Sequence, residues 1–150
     1  MPSKKSSVRN GQEPEIVLFI DSGNPSETIN AAWIVSTYTG KTKKATDRIG
    51  KWLCFVAEKD IDNTWQNVKK AVEAGKLWKI AKVSTALFSK GRVYVVCVYT
   101  YDHEDAEDVM RVREYLRKMG FKRTLSYKTD ELTAAGVYSD GTGGIAKYKS

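Results

Sequence analysis

The sequence predicts one α+β domain with about six or seven strands and two clear helices. Short runs of β-branched and aromatic residues alternate with turn residues, and two longer segments repeat apolar residues at helical spacing. The chain has 150 residues, of which 41% are hydrophobic, and this is enough for one core. Residues 1–13 are polar without periodicity, which is typical of a disordered basic tail, so we place the domain at residues 14–150.

The strands are predicted from apolar runs that end at glycine, proline or polar clusters. They cover residues 15–20, 31–39, 52–57, 79–87, 92–100, 123–128 and 145–149. The turn at Ser89-Lys-Gly91 predicts that the fourth and fifth strands form a hairpin. Because the strand 92–100 is apolar at successive positions, we expect it in the middle of the sheet with helices on at least one face.

The first helix follows the strand 52–57. Its apolar side chains recur from Ile61 to Val72, Asp60 or Asp62 is the expected cap, and Gly75 is the expected end. The second helix begins in the acidic cluster 102–108 and ends before Gly120. A short helical turn is expected at 129–135 and a glycine-rich loop at 141–144.

The net charge is +7, and the basic residues concentrate in residues 41–51 and 111–128. A basic surface attracts polyanions, but a lysine-rich surface is also common in proteins that bind no nucleic acid. Part of the second cluster has a structural explanation, because basic residues near the end of a helix complement its dipole. Both interpretations stay open at this point.

Several classes of function find no support in the residues. Cys54 and Cys97 lie inside apolar strands, where we expect reduced, buried thiols, and with His103 as the single histidine we expect no metal site. No phosphate-binding glycine motif or nucleophile motif occurs, so no cofactor is predicted. Without a membrane-length apolar run or a secretory signal, we expect a soluble cytoplasmic protein with no membrane partner.

The candidate ligand residues are cations and aromatic side chains in or beside strands. Trp65 belongs to the core, whereas Trp33, Trp52 and Trp78 are weighed between packing and stacking on a ligand, with packing favoured. Trp52 is the preferred stacking candidate because it follows the basic loop that ends at Lys51. Lys82 and Lys128 are strand lysines that a sheet would direct to one face; with Arg48 they would form an anion site.

Five short motifs together resemble the Bles-type family, which is named after a protein expressed in basophilic leukaemia. The motifs are Ile49-Gly-Lys-Trp52, Ala81-Lys-Val-Ser-Thr85, Val96-Cys-Val-Tyr-Thr100, Tyr127-Lys-Thr-Asp130 and Thr133-Ala-Ala-Gly-Val-Tyr138, and the resemblance spans roughly residues 30–150. It implies the fold of the cap-binding translation initiation factors. That fold is a curved, mainly antiparallel sheet of about six to eight strands, backed by two or three helices on its convex face.

A more distant likeness to phosphothreonine lyases implies a phosphate-eliminating activity. Lys82-Val-Ser84 resembles the Lys-x-His strand of these enzymes, with Ser84 at the histidine position. The likeness implies Lys82 as the base, Arg48 and Lys128 as phosphate ligands, and Tyr127 or His103 as the acid. Without that role, His103 is expected to be a solvated loop residue.

The first hypothesis is therefore a small cytoplasmic protein that binds RNA or a nucleotide phosphate on a basic, aromatic, concave sheet face. Its predicted ligand residues are Arg48, Lys51, Trp52, Lys82, Ser84 and Lys128. The second hypothesis is a lyase-like or other phosphate-processing enzyme on the same face. The third is a protein-interaction adaptor without catalysis.

Overall fold

A computed structural model describes residues 15–130 and 146–150. These residues form seven strands, three helices and one 3-10 turn at Pro25–Glu27. The strands are β1 (Val17–Ile20), β2 (Ala31–Thr37), β3 (Gly50–Ala57), β4 (Ile80–Ser84), β5 (Val93–Thr100), β6 (Ser126–Thr129) and β7 (Tyr148–Lys149). The helices are α1 (Glu58–Glu73), α2 (Ala86–Ser89) and α3 (Ala106–Lys118).

All seven strands belong to one mixed, open sheet in the order β1-β2-β4-β5-β3-β6-β7. The β1–β2 pair is parallel and every other pair is antiparallel. The α+β class and the mainly antiparallel sheet backed by helices are therefore confirmed. β5 occupies the fourth of the seven positions, as its apolar sequence predicted.

The core lies between the sheet and the two long helices, α1 and α3. Alternate residues of the central strands point to the helices, because successive side chains of a strand project to opposite faces. Ile61, Trp65 and Val68 of α1 and Leu116 of α3 are fully buried in this layer. The core positions of the strands include Ile34, Trp52, Cys54, Val83, Val96 and Tyr127.

Both cysteines are free and buried, as predicted. They lie on neighbouring strands but on opposite faces, because Cys54 is opposite Val96 and Cys97 is opposite Leu53. Burial raises the pKa of the Cys54 thiol to about 12 and that of Cys97 to about 11. Neither thiol is thus activated as a nucleophile.

The predicted cap of α1 is wrong. The helix begins at Glu58, and its N-cap residue, Ala57, provides no side-chain hydrogen bond. Asp62 instead accepts a hydrogen bond from the backbone N–H of Ser26 at 2.9 Å, and Glu58 accepts one from the Tyr94 hydroxyl at 2.7 Å. These carboxylates therefore connect α1 to distant segments rather than capping it.

The predicted hairpin is correct in its strand pairing but not in its connection. β4 and β5 are antiparallel neighbours, yet β4 ends at Ser84 and α2 is inserted before β5. Thr85 caps this short helix by accepting a hydrogen bond from the N–H of Leu87. The turn that begins at Thr85 thus ends β4 earlier than the apolar pattern indicates.

The second long helix agrees with its prediction. Asp105 caps α3 by accepting a hydrogen bond from the N–H of Asp108, and acidic residues occupy the first turn. Gly75 and Gly120, which follow α1 and α3, adopt left-handed conformations with φ of 74° and 116°. Such φ values favour glycine and end the two helices where the sequence predicted.

Several predictions lie wholly or largely outside the described residues. These are the tail 1–13, the helical turn 129–135 and the glycine-rich loop 141–144. The predicted strand 145–149 is observed as the two-residue β7. Within the described ranges, no helix combines the length and the apolar character that crossing a bilayer requires.

Candidate anion-binding site on the sheet

The face of the sheet opposite α1 and α3 carries the candidate site; we call it the open face. Lys51, Lys82 and Lys128 lie on it, because each alternates along its strand with residues of the helix-backed core. Lys51 is directly opposite Lys128 on one side and Tyr99 on the other. The structure therefore brings three of the predicted ligand residues together.

Lys82 lies among aromatic side chains. Its Nζ is 3.9 Å from the centroid of the Trp33 ring and 5.9 Å from that of Tyr99. Burial lowers the pKa of Lys82, and repulsion from Lys51 lowers it further. Within the part of the chain that the structure describes, Lys82 has no ion pair or hydrogen bond through its Nζ. The π faces thus compensate only part of the cost of keeping this ammonium charged.

Lys51 and Lys128 form a like-charge pair across β3 and β6. Such pairs are unfavourable unless an anion lies nearby. Asp130 provides one, because its Oδ1 is 2.7 Å from the Nζ of Lys51, whose side chain is only 12% exposed. Lys51 Nζ also lies 5.6 Å from the Tyr99 ring centroid. Among residues 15–130 and 146–150, no carboxylate is paired with Lys128.

Ser84 lies at the corner of the open face that α2 adjoins. Its Oγ accepts hydrogen bonds from the backbone N–H of Val95 and from the hydroxyl of Ser89, both at 3.0 Å. Ser84 is buried and stands opposite Trp33 in the β2–β4 register. Its hydroxyl thus stabilises the end of β4 beside the aromatic ring.

Trp52 does not lie on the open face, and this part of the prediction is wrong. Its side chain is fully buried in the helix-backed core, where Nε1 donates a hydrogen bond to the carbonyl of Val109 at 3.0 Å. Trp52 follows Lys51 directly, and adjacent strand residues point to opposite faces. Trp33 is the tryptophan on the open face.

The same alternation removes Tyr127 from the site. Its fully buried ring packs edge-on against Trp52, with the centroids 5.2 Å apart, and its hydroxyl shares a 2.6 Å hydrogen bond with Thr100. Burial raises the pKa of Tyr127. Tyr127 is therefore a core residue on the opposite face from Lys82, which excludes it as an acid acting beside that lysine.

Arg48 is bound to carboxylates just before the start of β3. Its Nε and Nη2 donate to the two oxygens of Asp102 at 3.0 and 2.6 Å, and Nη1 donates to Asp47 at 3.2 Å. This bidentate contact holds the pKa of Asp102 at about 2. Arg48 therefore connects the segment before β3 to the segment after β5 and is not part of the candidate site.

His103 is buried, so its predicted position as a solvated loop residue is wrong. Its backbone N–H donates to the Arg48 carbonyl at 2.6 Å, and its carbonyl accepts from the Tyr148 hydroxyl at 2.7 Å. Its Nδ1 lies 3.4 Å from Oε2 of Glu104. His103 thus takes part in the packing that joins β3, β7 and the start of α3.

Three residues of the site are absent from the predicted ligand residues. Trp33 was weighed as a stacking candidate with packing favoured, and Tyr99 and Asp130 were not weighed. The alternation along 93–100 places Tyr99 on the same face as Cys97, so the two-residue period was a usable signal. Asp130 comes two residues after Lys128, but its contact with Lys51 depends on the register between β3 and β6. Pairing between strands so distant in sequence leaves no local signal.

In the described part of the chain, no group of three or more histidine, cysteine, aspartate or glutamate residues has a geometry suited to a metal ion. The site consists of ammonium groups, ring faces and one carboxylate. Such an arrangement is suited to a ligand that carries negative charge and a flat ring.

Comparison with known protein families agrees with the motifs of the sequence. The sequence profile of one family, described as basophilic leukemia-expressed protein Bles03, matches residues 32–136. The matched range runs from β2 past β6 and includes Trp33, Lys51, Lys82, Tyr99 and Lys128. The chain therefore belongs to the family of the basophilic leukemia-expressed protein Bles03.

Proposed function

We propose that the protein binds the phosphate groups of RNA, or of a nucleotide, on the open face of its sheet. The observation that carries the proposal is the cluster of Lys51, Lys82 and Lys128, which has Asp130 as its one paired carboxylate among the described residues. A cluster of like charges on a partly buried surface is unfavourable by itself. An anion bound there would relieve the repulsion.

Lys82 supplies the electrostatic argument. Its lowered pKa means that the folded protein disfavours the charged ammonium at this position. A phosphate beside Lys82 would favour the charged form and raise that pKa again. Lysine is a common phosphate ligand, so a phosphate is a natural partner for this side chain.

The aromatic residues favour RNA over an isolated phosphate. Trp33 and Tyr99 flank Lys82, with ring centroids 3.9 and 5.9 Å from its Nζ. Single-stranded nucleic acids bind to surfaces that combine cations for the backbone with rings for the bases. The net charge of +7 would increase the rate of encounter with such a ligand.

The fold of the cap-binding initiation factors, which the sequence motifs imply, is part of the same proposal. The open sheet with α1 and α3 on one face supports it. The cap-binding arrangement of two tryptophans around one methylated base is not part of it, because Trp52 lies in the core. A cytoplasmic location also belongs to the proposal, and two buried thiols in the reduced state are compatible with it.

The test is fluorescence anisotropy of a labelled single-stranded RNA at several salt concentrations. We expect binding that weakens steeply with salt, and a Lys82→Ala/Lys128→Ala variant with about tenfold lower affinity and a smaller salt slope. The matched control is Lys59→Ala/Lys70→Ala, which removes the same charge from exposed positions of α1. Equal losses in the two variants would reduce the effect to overall charge and contradict the proposed site.

A second candidate, phosphate elimination, is favoured by the lowered pKa of Lys82, because a base must lose its proton. Ser84 stands at the position where the lyases have histidine, and its hydroxyl accepts hydrogen bonds from Val95 and Ser89. Incubation with phosphothreonine peptides tests this activity by mass spectrometry. Loss of phosphoric acid in the wild type but not in Lys82→Ala would support it, and intact peptides would contradict it.

A further inference from the structure

Two exposed aromatic side chains of the open face, Phe19 and Phe55, are not part of the site described above. Phe19 in β1 is 59% exposed and Phe55 in β3 is 65% exposed. Phe19 lies beside Trp33 in the β1–β2 register, and Phe55 is four residues from Lys51 along β3, so both rings belong to the open face. Exposed rings that share one face, unlike scattered single ones, are typical of a binding surface.

The registers of neighbouring strands place these rings in one row across the sheet. Phe19 is beside Trp33, and Trp33 is opposite Ser84. The Oγ of Ser84 accepts a hydrogen bond from the N–H of Val95, and Val95 is opposite Phe55. The row thus runs from β1 through β2, β4 and β5 to β3, and three strand spacings, about 14 Å, separate Trp33 from Phe55.

The lysines of the open face lie on one side of this row. Lys82 is opposite Cys97 and Lys51 is opposite Tyr99. Cys97 and Tyr99 follow Val95 along β5 by two and four residues, which correspond to about 7 and 13 Å from the row. The cations therefore form a line beside the rings on the same face of the sheet.

A row of rings beside a line of cations is complementary to the two parts of a single-stranded nucleic acid. The phosphates carry the negative charge, and the unpaired bases present flat faces that stack on aromatic side chains. A strand that crosses the sheet can therefore direct its phosphates to the lysines and its bases to the rings. A free nucleotide has one base, so it cannot contact Phe19 and Phe55 at the same time.

We propose that Phe19 and Phe55 stack on bases of a single RNA strand that crosses the sheet from β1 to β3. With Trp33 between them, the row offers a ring to each of about three unpaired nucleotides. The inference rests on the proposed function, because the lysines of the open face must bind the phosphates. It adds that the ligand is an RNA strand of several nucleotides and not a free nucleotide.

The experiment compares two RNA ligands by fluorescence anisotropy. One is labelled hexauridylate, and the other is an unlabelled abasic hexamer, which keeps the phosphates without the bases and is measured by competition. The wild type should bind hexauridylate about tenfold more tightly than the abasic hexamer. Phe19→Leu/Phe55→Leu should lower the affinity for hexauridylate about tenfold and leave that for the abasic hexamer unchanged. Its salt slope should equal that of the wild type, because no charge is removed.

Two controls accompany the leucine variant. Phe19→Tyr/Phe55→Tyr keeps both rings and should bind hexauridylate as the wild type does. Leu18→Ala changes a side chain that is 68% exposed on the opposite face of β1, and it should leave affinity unchanged.

The outcomes separate this inference from the function on which it rests. Wild-type affinity of the leucine variant, together with weaker binding by Lys82→Ala/Lys128→Ala, would overturn the role of the rings and leave the phosphate site intact. Unchanged affinity in the lysine variant as well would overturn both. Competition by hexaglutamate as strong as that by hexauridylate would also overturn the inference, because it would assign the face to an acidic protein.

Discussion

The two faces of the sheet are built from the same strands but differ in the burial and in the charge of their side chains. On the helix-backed face, Trp52 and Tyr127 are fully buried, and their hydrogen-bonding groups are satisfied within the protein. On the open face lie their sequence neighbours Lys51 and Lys128, which bring like charges together. One face forms the core, and the other is the face on which we propose that an anion binds.

The comparison teaches that the alternation of side chains along a strand decides which residues can share a site, whatever their type. Lys51 and Trp52 are adjacent in sequence, yet only Lys51 faces the candidate site. An aromatic residue next to a basic one therefore indicates shared ligand binding only where the two side chains project to one face. In this sheet the aromatic partners of the lysines are Trp33 and Tyr99, which lie on other strands.

The largest expected effect comes from truncating one tryptophan on each face. Trp52→Ala should lower the free energy of unfolding by about 3–5 kcal/mol, because it leaves a core cavity. It also removes the hydrogen bond from the indole to the carbonyl of Val109. Trp33→Ala should cost about 1–2 kcal/mol, since this ring is only partly buried. Urea denaturation of the two variants measures the difference.

RNA affinity should rank the same two variants in the opposite order. Under conditions in which both remain folded, Trp33→Ala should weaken binding and Trp52→Ala should leave it nearly unchanged. Equal destabilisation by the two substitutions would contradict the separation into a structural and a binding face. Circular dichroism before each titration confirms that the variant is folded.

A smaller effect on stability is expected from Arg48→Ala, which tests whether Arg48 is a structural cation and not a ligand-binding one. Arg48→Ala should lower stability near neutral pH by less than Trp33→Ala does, because Asp102 loses its bidentate partner but solvent screens the partly exposed Arg48. The folded-state pKa of Asp102, about 2, lies below its ordinary value of 3.8. The stabilisation is thus present above about pH 4 and is lost as the pH falls towards 2.

Urea denaturation at pH 6 and pH 3 tests this sign. The difference between the wild type and Arg48→Ala should shrink at the lower pH. RNA affinity should fall no more than in Lys70→Ala, which removes one charge from α1. A stability difference that grows on acidification would contradict the role of the Arg48–Asp102 pair. A selective loss of RNA binding would show that Arg48 belongs to the ligand site.

Much of the fold followed from local patterns in the sequence. The unbroken apolar character of 93–100 placed β5 at the centre of the sheet, and the acidic start of α3 marked its N-terminus correctly. The cap of α1 was missed because Glu58 and Asp62 bond to Tyr94 and Ser26, more than 30 residues away. Long-range contacts of this kind override local capping preferences.

Only part of the candidate site was predicted, because local patterns show which face a strand residue lies on but not its long-range contacts. Lys82 and Lys128 were identified as strand lysines of one face, and the register confirms that placement. Trp52 was selected because it follows the basic loop and Tyr127 because of the likeness to the lyases, although the two-residue period of their strands places both on the opposite face from the lysines. The burial of His103 depends on contacts with Arg48 and Tyr148, which no local pattern reveals.

The most direct test of the central claim is to observe the lysine side chains themselves during binding. In a two-dimensional ¹H–¹³C NMR titration with single-stranded RNA, the ε-methylene signals of Lys51, Lys82 and Lys128 should shift together. Those of Lys59 and Lys70, on the exposed side of α1, should remain in place. Shifts of the loop lysines Lys41, Lys43 and Lys44, with the three open-face signals unchanged, would contradict the account.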